Sequence, residues 1–98
     1  MHDAIMKVKN LNGIKVITLD AQNLGVIDGA QVNTNNWAIT ALEVKLDKEA
    51  IQELGLRKPK IGSLVVCLPV NYIQTFGDVV TLKHKQETLK NLKECTHE

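Results

Sequence analysis

The side chains best suited to bind a metal ion or to act as a nucleophile are few and stand far apart in the sequence. His84, Cys95 and His97 supply the nitrogen and thiolate ligands that zinc prefers. Structural zinc sites use paired ligands at short spacing, however, and only Cys95 and His97 lie close together. Cys67 has no neighbouring histidine to serve as its base. We therefore predict no metal, no cofactor and no cysteine nucleophile, with the three-residue cluster as the alternative.

The carboxylates and glycines form no catalytic pattern. Asp20, Asp28 and Asp78 all fall at predicted turns, where capping and turn formation account for them. No glycine-rich segment has the spacing of a phosphate-binding loop. The sequence therefore predicts a protein that is not an enzyme.

The charge balance argues against a nucleic-acid partner. Twelve Lys and Arg residues against eleven Asp and Glu residues leave a net charge of +1 over 98 residues. The chain has a single arginine and three aromatic side chains, too few for a typical single-strand platform. The basic segment 57–60 is interpreted as a solvated loop, with a phosphate or acidic-partner contact as the alternative.

The N-terminus and the cysteines indicate an intracellular protein. Residues 1–7 lack the apolar run of a secretory signal, and no stretch approaches the length of a membrane span. Cys67 lies in an apolar segment and is predicted to be a buried, inert thiol. We expect both cysteines to be reduced and the protein to be cytoplasmic.

The spacing of apolar residues predicts one domain over residues 1–98, mainly β, with 44% hydrophobic residues. Leu42, Val44 and Leu46 alternate with Glu43 and Lys45, which is typical of a half-buried strand. The predicted strands cover residues 14–19, 26–32, 37–46, 63–68 and 79–83. With their Gly-rich turns they predict a small closed barrel of about five to six strands, or a strongly twisted sheet.

Two helices are predicted beside these strands. Asp47 begins a short inserted helix, and Gly55 ends it with Leu56 folding back onto Ile51. A short helical turn follows Pro69, and a C-terminal helix covers residues 86–96. Gly29 predicts a bulge in its strand. The predicted core includes the following side chains from several strands: Leu42, Val44, Leu68, Val80 and Leu82.

Six segments together resemble the PRC-barrel family of small β-barrels, most closely its stand-alone archaeal members. The resemblance spans about residues 6–84, and residues 85–98 extend beyond it. It rests on the order and spacing of the segments 11–16, 23–28, 37–39, 42–44, 68–73 and 76–82.

This resemblance implies a partly closed barrel that acts as an adaptor and contributes no catalytic residue. In the family, related barrels contact a ribosomal protein in ribosome maturation factors or pack against the membrane subunits of reaction centres. Some archaeal members are cell-division proteins that bind SepF, the membrane anchor of the FtsZ ring. The expected function is therefore a protein-binding adaptor, with archaeal cell division as the candidate process. The alternative is an RNA-processing or ribosome-maturation factor.

The few aromatic side chains and the C-terminal apolar stripe indicate where a partner would bind. Trp37, Tyr72 and Phe76 all fall at or beside turns, and exposed aromatics anchor many interfaces. The alternative is that they close one end of the barrel. Leu89 and Leu92 need an apolar surface that a small barrel hardly provides. We therefore expect a homodimer whose interface includes Trp37 or the Tyr72–Phe76 turn, with Leu89 and Leu92 as further candidates. The alternative is that the C-terminal helix docks on its own domain.

Overall fold

The computed structural model describes residues 5–56, 62–93 and 95, which form a mainly β domain built on one six-stranded sheet. The strands are β1 (Lys15–Ile17), β2 (Asn23–Asn33), β3 (Ala38–Leu46), β4 (Val65–Pro69), β5 (Ile73–Phe76) and β6 (Val79–Leu82). One α-helix, α1 (Lys48–Glu53), and the 3-10 helices Val8–Leu11, Val70–Tyr72 and Gln86–Leu89 complete the described elements. No helix among the described residues is both long and apolar enough to cross a membrane.

The sheet is open, so the predicted closed barrel is wrong. Its strand order is β4-β3-β2-β1-β6-β5, and the edge strands β4 and β5 share no ladder. All neighbouring pairs are antiparallel except β1 and β6, which are parallel. The sequence analysis does not predict β5, the strand Ile73–Phe76, which directly follows the predicted helical turn.

The sheet nevertheless curls strongly, because the chain passes from one edge strand to the other within a few residues. In a flat sheet, five inter-strand spacings would separate β4 from β5 by about 24 Å. The four residue steps from Pro69 to Ile73 reach at most about 14 Å. The short connection therefore brings the two edges towards each other without hydrogen-bonding them.

The long β2–β3 hairpin contains two irregularities that bend its strands. The ladder register shifts between Ile27 and Gly29 and again between Gln31 and Val32. The first shift confirms the bulge predicted at Gly29. A side chain there would also collide with the Glu43 carboxylate, because a Cβ at this position would lie 2.7 Å from its Oε1. Bulges increase twist and bend a strand, which is what a curled sheet requires.

The concave side of the sheet holds a single apolar core. All five predicted core side chains are buried there: Leu42, Val44, Leu68, Val80 and Leu82. Helix α1 and the residue after it contribute Ile51 and Leu54 to the same cluster. The predicted helix end is confirmed, because Gly55 has a φ of 69° and the Leu56 N–H donates to the Ile51 carbonyl at 3.0 Å. Asp47 occupies the N-cap position without a side-chain capping bond.

The C-terminal segment differs from its prediction. In the described part of the predicted helix 86–96, residues 86–93 and 95, no α-helix is present, and the helical element there is the 3-10 helix Gln86–Leu89. The chain then extends along β4, where the Cys67 N–H donates to the Lys93 carbonyl at 2.9 Å and the Cys95 N–H to the Val65 carbonyl at 3.1 Å. Pairing with a strand edge replaces the helical hydrogen bonds of this segment.

The cysteines are joined, so the prediction of two reduced thiols is wrong. Cys67 and Cys95 form a disulfide with a Cα–Cα distance of 4.9 Å, across a sequence separation of 28. Their distance in sequence concealed the pairing, since only the return of the C-terminal segment to β4 brings them together.

Candidate protein-binding surface

The structure places the five predicted interface residues in two different environments. Trp37 and Phe76 are exposed, at 75% and 41%. Tyr72 and Leu92 are partly buried against the core, and Leu89 lies within it at 1% exposure. Leu89 and Leu92 thus pack on the domain of their own chain. The exposed aromatic surface consists of Trp37 and Phe76.

Trp37 lies in the turn of the β2–β3 hairpin with a left-handed backbone. Its φ is 58°, a conformation that bulky side chains rarely adopt. The Trp37 N–H donates to the Asn33 carbonyl at 2.6 Å, and the Asn36 side chain accepts from the Ala38 N–H at 3.0 Å. The turn therefore holds a large apolar side chain in solvent at a conformational cost of about 1–2 kcal/mol.

The two exposed aromatic residues lie at different levels along the strands, because the ladders place Phe76 level with Val80, Val16 and Gly25, eight residues before Asn33 at the β2–β3 turn. Strand β6 runs parallel to β1, and β1 runs antiparallel to β2. The β5–β6 turn therefore faces in the same direction as the β2–β3 turn, but Val79 is level with Val26, seven residues before Asn33. Strand β4 ends nearer the β2–β3 turn, because Pro69 pairs with Ala41, and the 3-10 helix Val70–Tyr72 follows it.

Two stretches of the chain are free of charged residues. The 14 residues 29–42 and the 17 residues 61–77 contain no Asp, Glu, Lys or Arg, although 23% of the chain is charged. The β3–β4 ladder joins the two stretches where Ala41 and Leu42 pair with Pro69 and Leu68. We call the exposed surface beside this junction, namely the β2–β3 turn and the helix Val70–Tyr72, the uncharged end.

Sequence reasoning missed the uncharged end, although its signal is present in the sequence. At the average composition, stretches of this length would hold about three and about four charged residues. Cores of protein interfaces are depleted in charged side chains and enriched in aromatic ones. A surface without cations cannot neutralise phosphates.

Tyr72 stabilises one side of the uncharged end. Its ring lies against the His84 imidazole, with centroids 4.3 Å apart and planes inclined by 34°. The Tyr72 carbonyl accepts from the Lys83 N–H, and the His84 carbonyl accepts from the Leu19 N–H, both at 2.8 Å. Tyr72 therefore links the 3-10 helix to the segment after β6, and its contacts are structural.

An acidic cleft of about 320 Å³ lies elsewhere on the domain, lined by Asp20, Gln22, Glu53, Gln86 and Glu87. Gln86 is 5% exposed, and its side-chain amide donates to Glu53 while its backbone N–H donates to Asp20 at 3.1 Å. These bonds tie the C-terminal segment to α1 and to the β1–β2 turn. Among the described residues, no three His, Cys, Asp or Glu side chains are grouped to hold a metal ion.

One carboxylate of the cleft has a perturbed acidity. The Thr18 hydroxyl donates to Asp20 and lowers the pKa of that carboxyl below its ordinary value, against a smaller opposing effect of desolvation. The Gln86 N–H and the charge of Lys85 also lower this pKa. Asp20 is therefore held ionised as an acceptor for the two segments that it joins.

The other predicted chemical groups are not assembled into a site. His84 contacts Tyr72, and Cys95 is bonded to Cys67, so the described members of the candidate zinc cluster have other partners. His2, His97 and the basic segment 57–60 lie outside the described residues. No protein-family model matches the chain, and no curated protein matches its sequence.

Proposed function

We propose that the protein is a non-enzymatic adaptor that binds another protein through the uncharged end. The observation that carries the proposal is Trp37, a tryptophan that is 75% exposed in a turn with a φ of 58°. Tryptophan is among the residue types most enriched in the side chains that dominate binding energy. Strained backbone conformations concentrate at functional sites, and this one keeps the indole in solvent.

The neighbouring surface supports a protein partner over RNA. Val32 and Val70 add exposed apolar area at this end, and no charged residue stands between Gly29 and Leu42. Binding at the uncharged end would be driven by the burial of apolar surface and not by ion pairs. We therefore expect affinity to change little between low and moderate salt, whereas phosphate contacts would weaken steeply with salt.

The resemblance to archaeal PRC-barrel proteins makes SepF the partner that we propose within this role. The test is a binding titration of purified SepF against the wild type and against Trp37→Gly. We expect the substitution to weaken binding at least ~30-fold, the loss typical of a hot-spot side chain. Leu19→Ala, a change at another exposed apolar side chain, should leave it intact. Equal affinities of wild type and Trp37→Gly would refute the proposal for the uncharged end.

We further propose that the uncharged end supports a homodimer. An uncharged surface can meet its own copy across a two-fold axis without opposing like charges. Light scattering of the oxidised protein should then give about twice the 10.9 kDa of one chain. Trp37→Gly should return the mass to that of the monomer. A monomer at high concentration would contradict the dimer and leave the test with SepF unaffected.

A further inference from the structure

Strand β4 is an edge strand whose outer side is covered only by the C-terminal tail among the described residues. The outward groups of Val65 and Cys67 bond to Cys95 and Lys93, as described above. The disulfide between Cys67 and Cys95 ties this tail to the strand. We use the name tail for residues 90–93 together with Cys95. Upstream of the tail, Leu89 is anchored in the core.

The covered edge has the properties of a strand that pairs readily. Its sequence Val65-Val66-Cys67-Leu68 is uncharged and rich in residues that favour strands. The β3–β4 ladder has no shift of register, so β4 is regular along its length. The other edge strand, β5, has four residues and a shifted register against β6. Short, irregular edges resist pairing, whereas a regular apolar edge needs a cover.

We infer that the edge of β4 is a strand-pairing surface for a second copy of this chain, closed by the tail while the disulfide is intact and opened by its reduction. Two backbone hydrogen bonds hold the tail beside the disulfide. A backbone hydrogen bond contributes only modestly to stability, so without the covalent bond the tail is weakly held. This inference is independent of the uncharged end.

The opening step requires a dithiol reductant. One thiolate of the dithiol attacks a sulfur of the Cys67–Cys95 bond, the S–S bond breaks, and a mixed disulfide forms. The second thiol of the reductant then displaces the protein sulfur. Two electrons pass to the protein, each cysteine sulfur acquires one proton, and the reductant leaves as its own disulfide. Both cysteines become free thiols.

The occupant is a second copy because the edge complements itself. Two β4 strands can pair antiparallel about a two-fold axis, with Val65 of each opposite Cys67 of the other. Both residues direct their backbone groups outwards, as their bonds to the tail show. Like charges opposite each other would destabilise such a pair, and β4 carries none. The new ladder would replace the hydrogen bonds lost from the tail.

The experiment uses the full chain carrying Trp37→Gly, so that the dimer contact proposed above does not contribute. Sedimentation and hydrogen exchange are measured with and without dithiothreitol over a range of protein concentrations. We expect the oxidised protein to stay monomeric with a protected Cys67 amide. In the reduced protein we expect dimers at high concentration, and protection of this amide that rises with protein concentration.

A matched pair of lysine variants tests whether β4 is the contact. Val65→Lys should abolish the reduced dimer, because a charge on the edge opposes pairing. Val8→Lys adds the same charge at an exposed position outside the strands and should leave the dimer intact. Cys95→Ser should dimerise without reductant.

Three results would overturn the inference. The first is a reduced protein that stays monomeric, whether or not its Cys67 amide becomes exposed to exchange. The second is a reduced dimer that persists in Val65→Lys. The third is loss of strand circular dichroism on reduction, because an unfolded chain has no β4 edge to offer. None of these results would affect the expected loss of SepF binding in Trp37→Gly, because that loss concerns the uncharged end.

Discussion

At the scale of single residues, Trp37 combines a conformational cost with a binding role. Glycine adopts a positive φ without steric strain, although it loses more backbone entropy on folding. We expect Trp37→Gly to leave the free energy of unfolding unchanged or to raise it by up to about 1 kcal/mol. The same change should cost partner binding about 2 kcal/mol or more, as at other interface hot spots. Urea denaturation and a binding titration measure the two effects.

The two readouts separate binding from folding. If Trp37→Gly instead destabilised the fold by several kcal/mol, the indole would have to pack on its own domain. Trp37→Asn provides the control, because asparagine also tolerates the left-handed conformation and lacks the aromatic surface. Both variants should lose binding to a similar extent.

Asp20 gives a pH-dependent prediction at the same scale. Its pKa is lowered in the folded chain from an ordinary value of 3.8. Its contribution to stability is therefore fully present above that value and is lost as pH falls through the folded pKa. Asp20→Asn should lower stability at pH 7, and the difference from wild type should shrink at lower pH. Urea unfolding from neutral to strongly acidic pH measures this, and a pH-independent difference would contradict it.

At the scale of elements, the 3-10 helix Gln86–Leu89 anchors the C-terminal segment. Leu89 is 1% exposed and Leu92 is only partly buried. Leu89→Ala should therefore cost about 2–5 kcal/mol of unfolding free energy, the usual range for a fully buried leucine. Leu92→Ala should cost less because it removes fewer buried contacts. Chemical denaturation of both variants tests this, and equal losses would show that the helix is not the anchor.

The elements also show which features of the fold the periodicity of apolar residues predicts and which it does not. The alternation from Leu42 to Leu46 and the Gly55 terminator were sufficient to predict β3 and α1, because both signals are local. Strand β5 was missed because Ile73–Phe76 has no alternating pattern and its pairing partner lies in β6. The C-terminal stripe of Leu89, Leu92 and Cys95 suggested a helix. Instead, hydrogen bonds to β4 and the disulfide with the distant Cys67 hold the described part of this segment along β4.

At the scale of the whole molecule, the disulfide closes a loop that contains β5, β6 and the 3-10 helix Gln86–Leu89. For a separation of 28 residues, the chain-entropy model gives about 3–4 kcal/mol of stabilisation. We expect Cys95→Ser to lose this amount of unfolding free energy under oxidising conditions. Denaturant titrations in the absence of reductant measure the loss.

Cys67→Ser is the matched control for this prediction. It breaks the same bond, so each single variant and the double variant should lose nearly the same stability, and reduced wild type should resemble them. A Cys95→Ser protein as stable as untreated wild type would mean that the two thiols do not pair in solution. Mass spectrometry after alkylation reports the same pairing directly.

The sequence by itself determined the features that depend on neighbours along the chain. These are a mainly β domain, the core face of Leu42, Val44 and Leu68, the bulge at Gly29, and the position of α1. Apolar alternation, capping and glycine conformations specify such features within a few residues. The sequence also contains the two uncharged stretches, although only the β3–β4 ladder shows that they meet in the fold.

The tertiary structure alone decided the features that join distant segments. The parallel pairing of β1 with β6 joins β5 and β6 to the sheet at the edge opposite β4. The short connection from Pro69 to Ile73 curls the sheet without closing it, and the return of the tail to β4 joins Cys67 to Cys95. Such contacts depend on the whole path of the chain, since the energy of pairing two edges or two thiols exists only after the core has brought them together.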